Sequence, residues 1–165
     1  MRSSSYPRGS HLMHALESRV PPPVVGLLVA AAMWCLSLLP PSIQQPSITR
    51  GVLAVGLAAV GAAFSLSGVL AFRRARTTVN PLKPASATSL VSGGIYRVTR
   101  NPMYVGMLFL LFAWATLLWS IWSLLGTLLF VGYITRFQIT PEERALAALF
   151  GAEFAAYKSR VRQWL

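Results

Sequence analysis

The stretch that decides the fold runs from Met103 to Thr135, MYVGMLFLLFAWATLLWSIWSLLGTLLFVGYIT, and it contains no charged residue. A single helix of that length would be about 50 Å long, against a membrane hydrocarbon core of about 30 Å. The stretch must therefore break, and Trp119-Ser120-Ile121-Trp122-Ser123 is the natural place. Tryptophan favours the membrane–water interface, and serine hydroxyls can satisfy backbone groups in a tight turn. Two antiparallel spans are expected, at about 103–119 and 121–136. Their shortness implies little tilt or a locally thin bilayer.

Two further apolar runs precede this pair. Val24–Leu39 lies between Pro21-Pro22-Pro23 and Pro40-Pro41, so proline punctuates both of its ends. The next run, Gly51–Phe72, is rich in glycine and alanine. Its small residues Gly56, Ala59, Ala63 and Ser67 fall near helical spacing and would permit close helix contact, although small residues are common in such helices. Mean hydropathy is +0.56 and 12% of residues are charged, where a soluble domain has about 25%. The expected fold is an all-α integral membrane protein, with four transmembrane helices and a cytoplasmic amphipathic C-terminal helix in one domain over residues 20–165. The start, MRSSSYPRGSHLM, resembles an expression-tag scar, so residues 1–13 are set aside. No cleavable signal is read in the first apolar run. Cys35 stands alone in that run, which predicts a small core residue, no internal disulfide and no metal site.

Charge sorting sets the expected orientation. The acids are Glu17, Glu142, Glu143 and Glu153, none of them inside an apolar run. With four spans, every lysine and arginine except Arg50 falls on one side, in the N-terminal segment, the 73–100 loop or the tail. The positive-inside rule makes that side cytoplasmic, with both termini there. The net charge of +11 does not point to nucleic acid, because the basic residues separate apolar runs and form no polar face with interleaved aromatics.

The tail, TPEERALAALFGAEFAAYKSRVRQWL, predicts a helix over about 141–162. Thr140 suits an N-cap, Pro141 the first helical position, and Glu142-Glu143 the positive end of the dipole. Leu146, Leu149, Phe150, Phe154, Tyr157 and Val161 form one apolar face, with Gly151 a kink or close-contact site. This face would lie on the membrane or pack over the cytoplasmic end of the bundle. Beside it, GGIYRVTRNPMYVG (93–106) sets Arg97, Arg100, Asn101 and Pro102 against the apolar stretch. A helix that starts with proline leaves free N–H groups suited to a carboxylate. Paired glutamates can take an ammonium group or ribose hydroxyls, so a ligand with an α-amino acid and a nucleoside would match. Plainer structural roles remain open: Arg97 and Arg100 as topology anchors, the glutamates as dipole partners, Tyr96 and Tyr104 as interfacial aromatics, and Phe154 and Tyr157 as packing.

The pattern G-x-Y-x-x-x-R-N-P-x-Y-x-G (94–106) resembles the core motif of the isoprenylcysteine carboxyl methyltransferase and phospholipid methyltransferase superfamily. Glu142-Glu143-x-x-Leu146-x-x-x-Phe150-Gly151-x-x-Phe154-x-x-Tyr157 resembles the tail motif of the same families, and the likeness covers about residues 68–162. The resemblance implies an integral membrane methyltransferase that uses S-adenosylmethionine and releases S-adenosylhomocysteine. Its acceptor would be a lipophilic carboxylate, amine or thiol that arrives from the bilayer. Gly94, Ile95, Tyr96, Arg100, Asn101, Pro102, Tyr104, Glu142 and Glu143 would line the cofactor site. Arg160 would orient the acceptor, and Glu153 would act as base for an amine. Asn101 stands where eukaryotic prenylcysteine enzymes have histidine, as in small bacterial relatives, which implies a bacterial inner membrane. The rival readings are a non-catalytic scaffold or lipid-binding relative, and a small-molecule exporter. A proton-coupled exporter needs an ionisable residue inside the membrane, and these spans hold none.

Overall fold

The computed structural model describes residues 20–40, 47–75 and 89–165. The tag-like start, Pro41 and most of the loop that contains Lys83 lie outside the described residues. Among the described residues, five α-helices follow in order: α1 (Pro22–Ser37), α2 (Ile48–Arg74), α3 (Pro102–Leu118), α4 (Ile121–Ile134) and α5 (Thr140–Arg160). A 3₁₀ turn, Gly94–Arg97, precedes α3, and a π-helical turn, Thr135–Ile139, joins α4 to α5. Among the described residues there is no strand, only an isolated bridge between Thr99 and Arg162.

Local chemistry explains the boundaries. Proline opens α1 and α3, where its missing N–H is no loss. The break in the uncharged stretch falls where expected. Trp119 takes left-handed φ and ψ of 47° and 41° and ends α3, its N–H bonding to Ala115 O. Ser123 then donates its hydroxyl to Ser120 O at 2.6 Å and closes the turn into α4. On the outside of the turn, the Arg50 guanidinium stacks over the Trp119 ring at 5.1 Å.

Helix α3 is central, contacting α2, α1 and α4. It meets α2 at a glycine crossing: an added Cβ on Gly61 would lie 2.7 Å from Gly106 O, and one on Gly106 would collide with Ser65 Oγ. Farther along, Gly68 lies against Met103 and Pro102. The expected stripe of Gly56, Ala59, Ala63 and Ser67 is instead exposed, and nothing lies within 4 Å of a Cβ at Gly56. Small residues occur all round α2, so composition could not select a face; the glycine on α3 selects it. Cys35 is likewise exposed and not a core residue, because α1 turns Val25 and Met33 inward, the latter against Gly126 of α4.

One core cluster joins Val25, Met33, Tyr104, Leu111, Phe130, Ile134 and Ile139. A second, at the end of the bundle, joins Tyr96, Phe154 and Tyr157, with Phe72, Leu146, Phe150 and Val161 around them. The apolar face of α5 therefore packs onto the bundle end, except for Leu149, which is exposed. Gly151 is a kink with φ 47° and ψ −118°, and no close neighbour. Of the described helices, α2 is long and apolar enough to cross a membrane, while α1 and α3 are apolar but shorter. Much of the lateral surface is apolar, as at Leu27, Val55 and Leu128.

Thr140 does not cap a new helix. Its backbone is helical, and the chain runs from α4 into α5 without a break. The physical reason is Pro141, which cannot donate to the preceding turn. The chain widens into a π-turn, in which Thr140 N–H and Thr140 Oγ1 both bond to Thr135 O.

Candidate functional site

The ionisable side chains of α5 fold back onto the turn that precedes α3. Arg100 is the hub. Its Nε and Nη2 donate to Glu143 Oε1 at 3.0 and 2.7 Å. Its Nη1 donates to Lys158 O at 3.3 Å and, in a short contact, to Val161 O. Four of the five guanidinium hydrogens are thus engaged, leaving one on Nη2. Lys158 Nζ reaches the other Glu143 oxygen at 2.7 Å. The Arg100 and Glu143 side chains are only 10% and 13% exposed, so their pair is largely dry.

Beside this pair, Tyr104 donates its hydroxyl to Glu142 Oε1 at 2.7 Å. Loss of solvent pushes the Glu142 carboxyl up to about 7; the Tyr104 hydrogen bond opposes that shift and the charge of Glu143 adds to it. Tyr157 donates to Tyr96 O at 2.8 Å, closing the layer beneath. Burial raises both phenols, Tyr157 to about 12, with Arg100 opposing and Glu143 adding for Tyr157. The Tyr96 and Phe72 rings meet at right angles with their centroids 5.5 Å apart, which fixes the 3₁₀ turn on α2. Gly94, at the start of that turn, has φ +60°, the left-handed region that glycine tolerates. Asn101, just ahead of Pro102, turns its Nδ2 to Gln163 O at 2.9 Å and makes no side-chain cap on α3.

The structure therefore brings together Tyr96, Arg100, Asn101, Pro102, Tyr104, Glu142 and Glu143, with Gly94 and Ile95 in the adjoining turn. It does not bring Glu153 and Arg160 into that cluster. Both are exposed, seven residues apart on one side of α5, and Arg160 Nε bonds to Ala156 O of its own helix. Sequence reasoning missed Thr99, Lys158 and the last residues of the chain. Thr99 is fully buried and donates to Gln163 O at 3.2 Å. Trp164 Nε1 donates to Thr135 Oγ1 at 3.2 Å, and the ring packs against the main core cluster. The lone tryptophan in a short polar tail was the signal available.

Fold and site together define an all-helical protein, apolar over much of its surface, with a charged cluster gathered at one end. Phospholipid methyltransferases match residues 49–153, well over half of the chain, and the chain belongs to that family. The match runs from α2 into α5 and contains both the Arg100 turn and the glutamate pair. A protein of Haemophilus influenzae described as uncharacterized is 41% identical over 63 residues, 38% of this chain and 100% of that protein. No solved structure matches the chain.

Proposed function

We propose that this protein is an integral membrane methyltransferase that binds S-adenosylmethionine at the Arg100–Glu143 cluster and methylates a lipophilic acceptor delivered by the bilayer. The observation that carries the reading is the gathering of two carboxylates at the start of α3, Glu143 on Arg100 and Glu142 on Tyr104, inside the region that matches the family. The donor set suits a zwitterionic amino acid joined to a nucleoside. Glu142 and Glu143 offer anionic oxygens to an ammonium or to ribose hydroxyls. The carboxylate side has the N–H groups behind Pro102 and the remaining Nη2 hydrogen of Arg100. The buried rings of Tyr96 and Tyr104 are proposed to flank the ligand.

The proposed topology has four spans, with the site at the cytoplasmic face of a bacterial inner membrane. Helix α2 crosses by length alone. The run from Ile121 to Ile139 supports a second full crossing, because the π-turn extends α4 to about 28 Å. Helices α1 and α3, at about 25 Å each, would need a slight local thinning. The exposed cations Arg73, Arg74, Arg97 and Arg162 at the site end support the orientation, against Arg50 at the other.

Bound S-adenosylmethionine would supply a methyl group on a sulfonium that carries its own leaving group. The protein would contribute proximity and alignment, with Arg100, Glu142 and Glu143 holding the group, and in-line displacement would transfer the methyl to the acceptor and leave the electron pair on sulfur. A carboxylate acceptor needs only positioning and desolvation, the role proposed for Arg160. An amine must lose a proton, and Glu153 on the same side of α5 is the proposed base. With an amine acceptor, Glu153→Gln is expected to lose turnover at unchanged cofactor affinity. Calorimetric titration of S-adenosylhomocysteine into the detergent-solubilised protein tests the core of the reading. Micromolar binding, weakened in a Glu142→Gln/Glu143→Gln variant, is the expected result. Absence of binding by folded protein would refute the methyltransferase reading and favour a non-catalytic relative.

A further inference from the structure

The last residues of the chain do not trail away from α5. After Arg160, Val161 leaves the helix with extended backbone, φ −122° and ψ 135°. The segment then runs beside Thr99–Asn101 as a short parallel bridge. The amide of Arg100 donates to Arg162 O at 2.9 Å. Thr99 Oγ1 and Asn101 Nδ2 both donate to Gln163 O. The Arg100 side chain reaches back to the carbonyls of Lys158 and Val161. Trp164 then anchors the far end in the main core, its indole N–H on Thr135 of the π-turn.

We propose that Val161–Trp164 is a strap that sets the geometry of the Arg100-Asn101-Pro102 turn, with Trp164 and Asn101 as its positioning residues. Every link from the turn to the strap uses a backbone carbonyl as acceptor, so the strap's path, more than its side chains, carries the effect; Trp164 is the exception, because its ring fixes the path. Arg100 couples the strap to Glu143, and so movement of the strap shifts both charged partners of the proposed cofactor site. Release of the strap would free one more guanidinium hydrogen of Arg100, the one held by Val161 O. The strap is thus a means by which the end of the chain controls entry to, and exit from, the site.

Hydrogen–deuterium exchange on the full chain in detergent micelles tests the strap without reference to any ligand. In the wild type the Arg100 amide is expected to exchange slowly. Trp164→Ala, and a chain shortened after Arg160, are expected to raise exchange over residues 98–101 about tenfold or more, the worth of one net hydrogen bond. Exchange across the Gly61–Gly106 crossing should not change, which marks the variants as folded. Gln163→Ala should leave everything unchanged, because only its carbonyl takes part. Wild-type exchange at Arg100 in the shortened chain would overturn the proposal. A second arm rests on the methyltransferase reading. Stopped-flow displacement of S-adenosylhomocysteine should show faster dissociation in Trp164→Ala by about tenfold, with Trp164→Phe intermediate. Equal dissociation rates in wild type and Trp164→Ala would overturn the positioning role. Absence of binding in the wild type would refute the methyltransferase reading, and the exchange arm alone would then decide the strap.

Discussion

Glu143→Gln should be among the most damaging conservative substitutions in this protein, and its cost can be worked from the contacts. The change preserves shape but removes an anion that takes two hydrogen bonds from Arg100 and an ion pair from Lys158. The Arg100–Glu143 pair is largely dry, at 10% and 13% exposure. Breaking a buried pair and stranding one charge costs about 3–5 kcal/mol. Here Arg100 keeps the carbonyls of Lys158 and Val161, and the glutamine oxygen still accepts one bond. The expected cost therefore falls to about 2–3 kcal/mol. Lys158 provides the contrast, because its side chain is 53% exposed. Lys158→Ala should cost less than about 1 kcal/mol, as for other solvated pairs. The gap corresponds to roughly a thirtyfold difference in unfolding equilibrium. Reversible unfolding in mixed micelles, with a rising fraction of anionic detergent and tryptophan fluorescence as readout, measures both. The double variant should cost little more than Glu143→Gln alone, since its partner is already lost. Equal costs for the two single variants would refute the view that the dry Arg100 pair dominates this cluster.

Stability should also depend on pH through Glu142, whose carboxyl is raised to about 7 by burial. The folded state then binds its proton more tightly than the unfolded chain, so the neutral form favours folding. Stability should be highest below about 4.5, the ordinary value of the group, and fall as pH rises to about 7. Glu142→Gln should remove that slope, and a wild-type slope in the variant would refute the assignment. Cofactor affinity should move the other way, rising from pH 6 to pH 8 if the proposed site needs the anion, and flat in Glu142→Gln. At the helix crossing, Gly106→Ala should cost about 1–3 kcal/mol through collision with Ser65 and Gly61. Gly56→Ala should be neutral or slightly stabilising, since its Cβ would meet nothing. Equal effects in the same unfolding assay would show that α2 does not pack on α3 through this face.

Much of the architecture was legible because its signals are local. An uncharged stretch too long for one crossing had to break, and Trp119-Ser120 supplied the break. Prolines at the starts of α1 and α3 act within one turn, so their effect could be read directly. The approach of the Arg100 turn to the glutamate pair followed from connectivity, since the hairpin enters at Pro102 and returns near Arg136. Other features were not local. Thr140 has the chemistry of a cap, but α4 arrives already helical and Pro141 turns the junction into a π-turn.

The sequence by itself therefore determined helix content, the helix ends other than the α4–α5 junction, and the sorting of charge to one end, because each depends on neighbours along the chain. Only the tertiary structure decided which face of α2 is buried, that Cys35 faces outward, and that Glu143 serves Arg100 while Glu142 serves Tyr104. It alone joined Tyr157 to Tyr96 and the end of the chain to Asn101, across 61 and 62 residues. The physical reason is the same in each case. Helices that are apolar on every side carry no pattern to select a face, so shape selects it, and hydrogen-bond partners follow from where that packing leaves the polar ends.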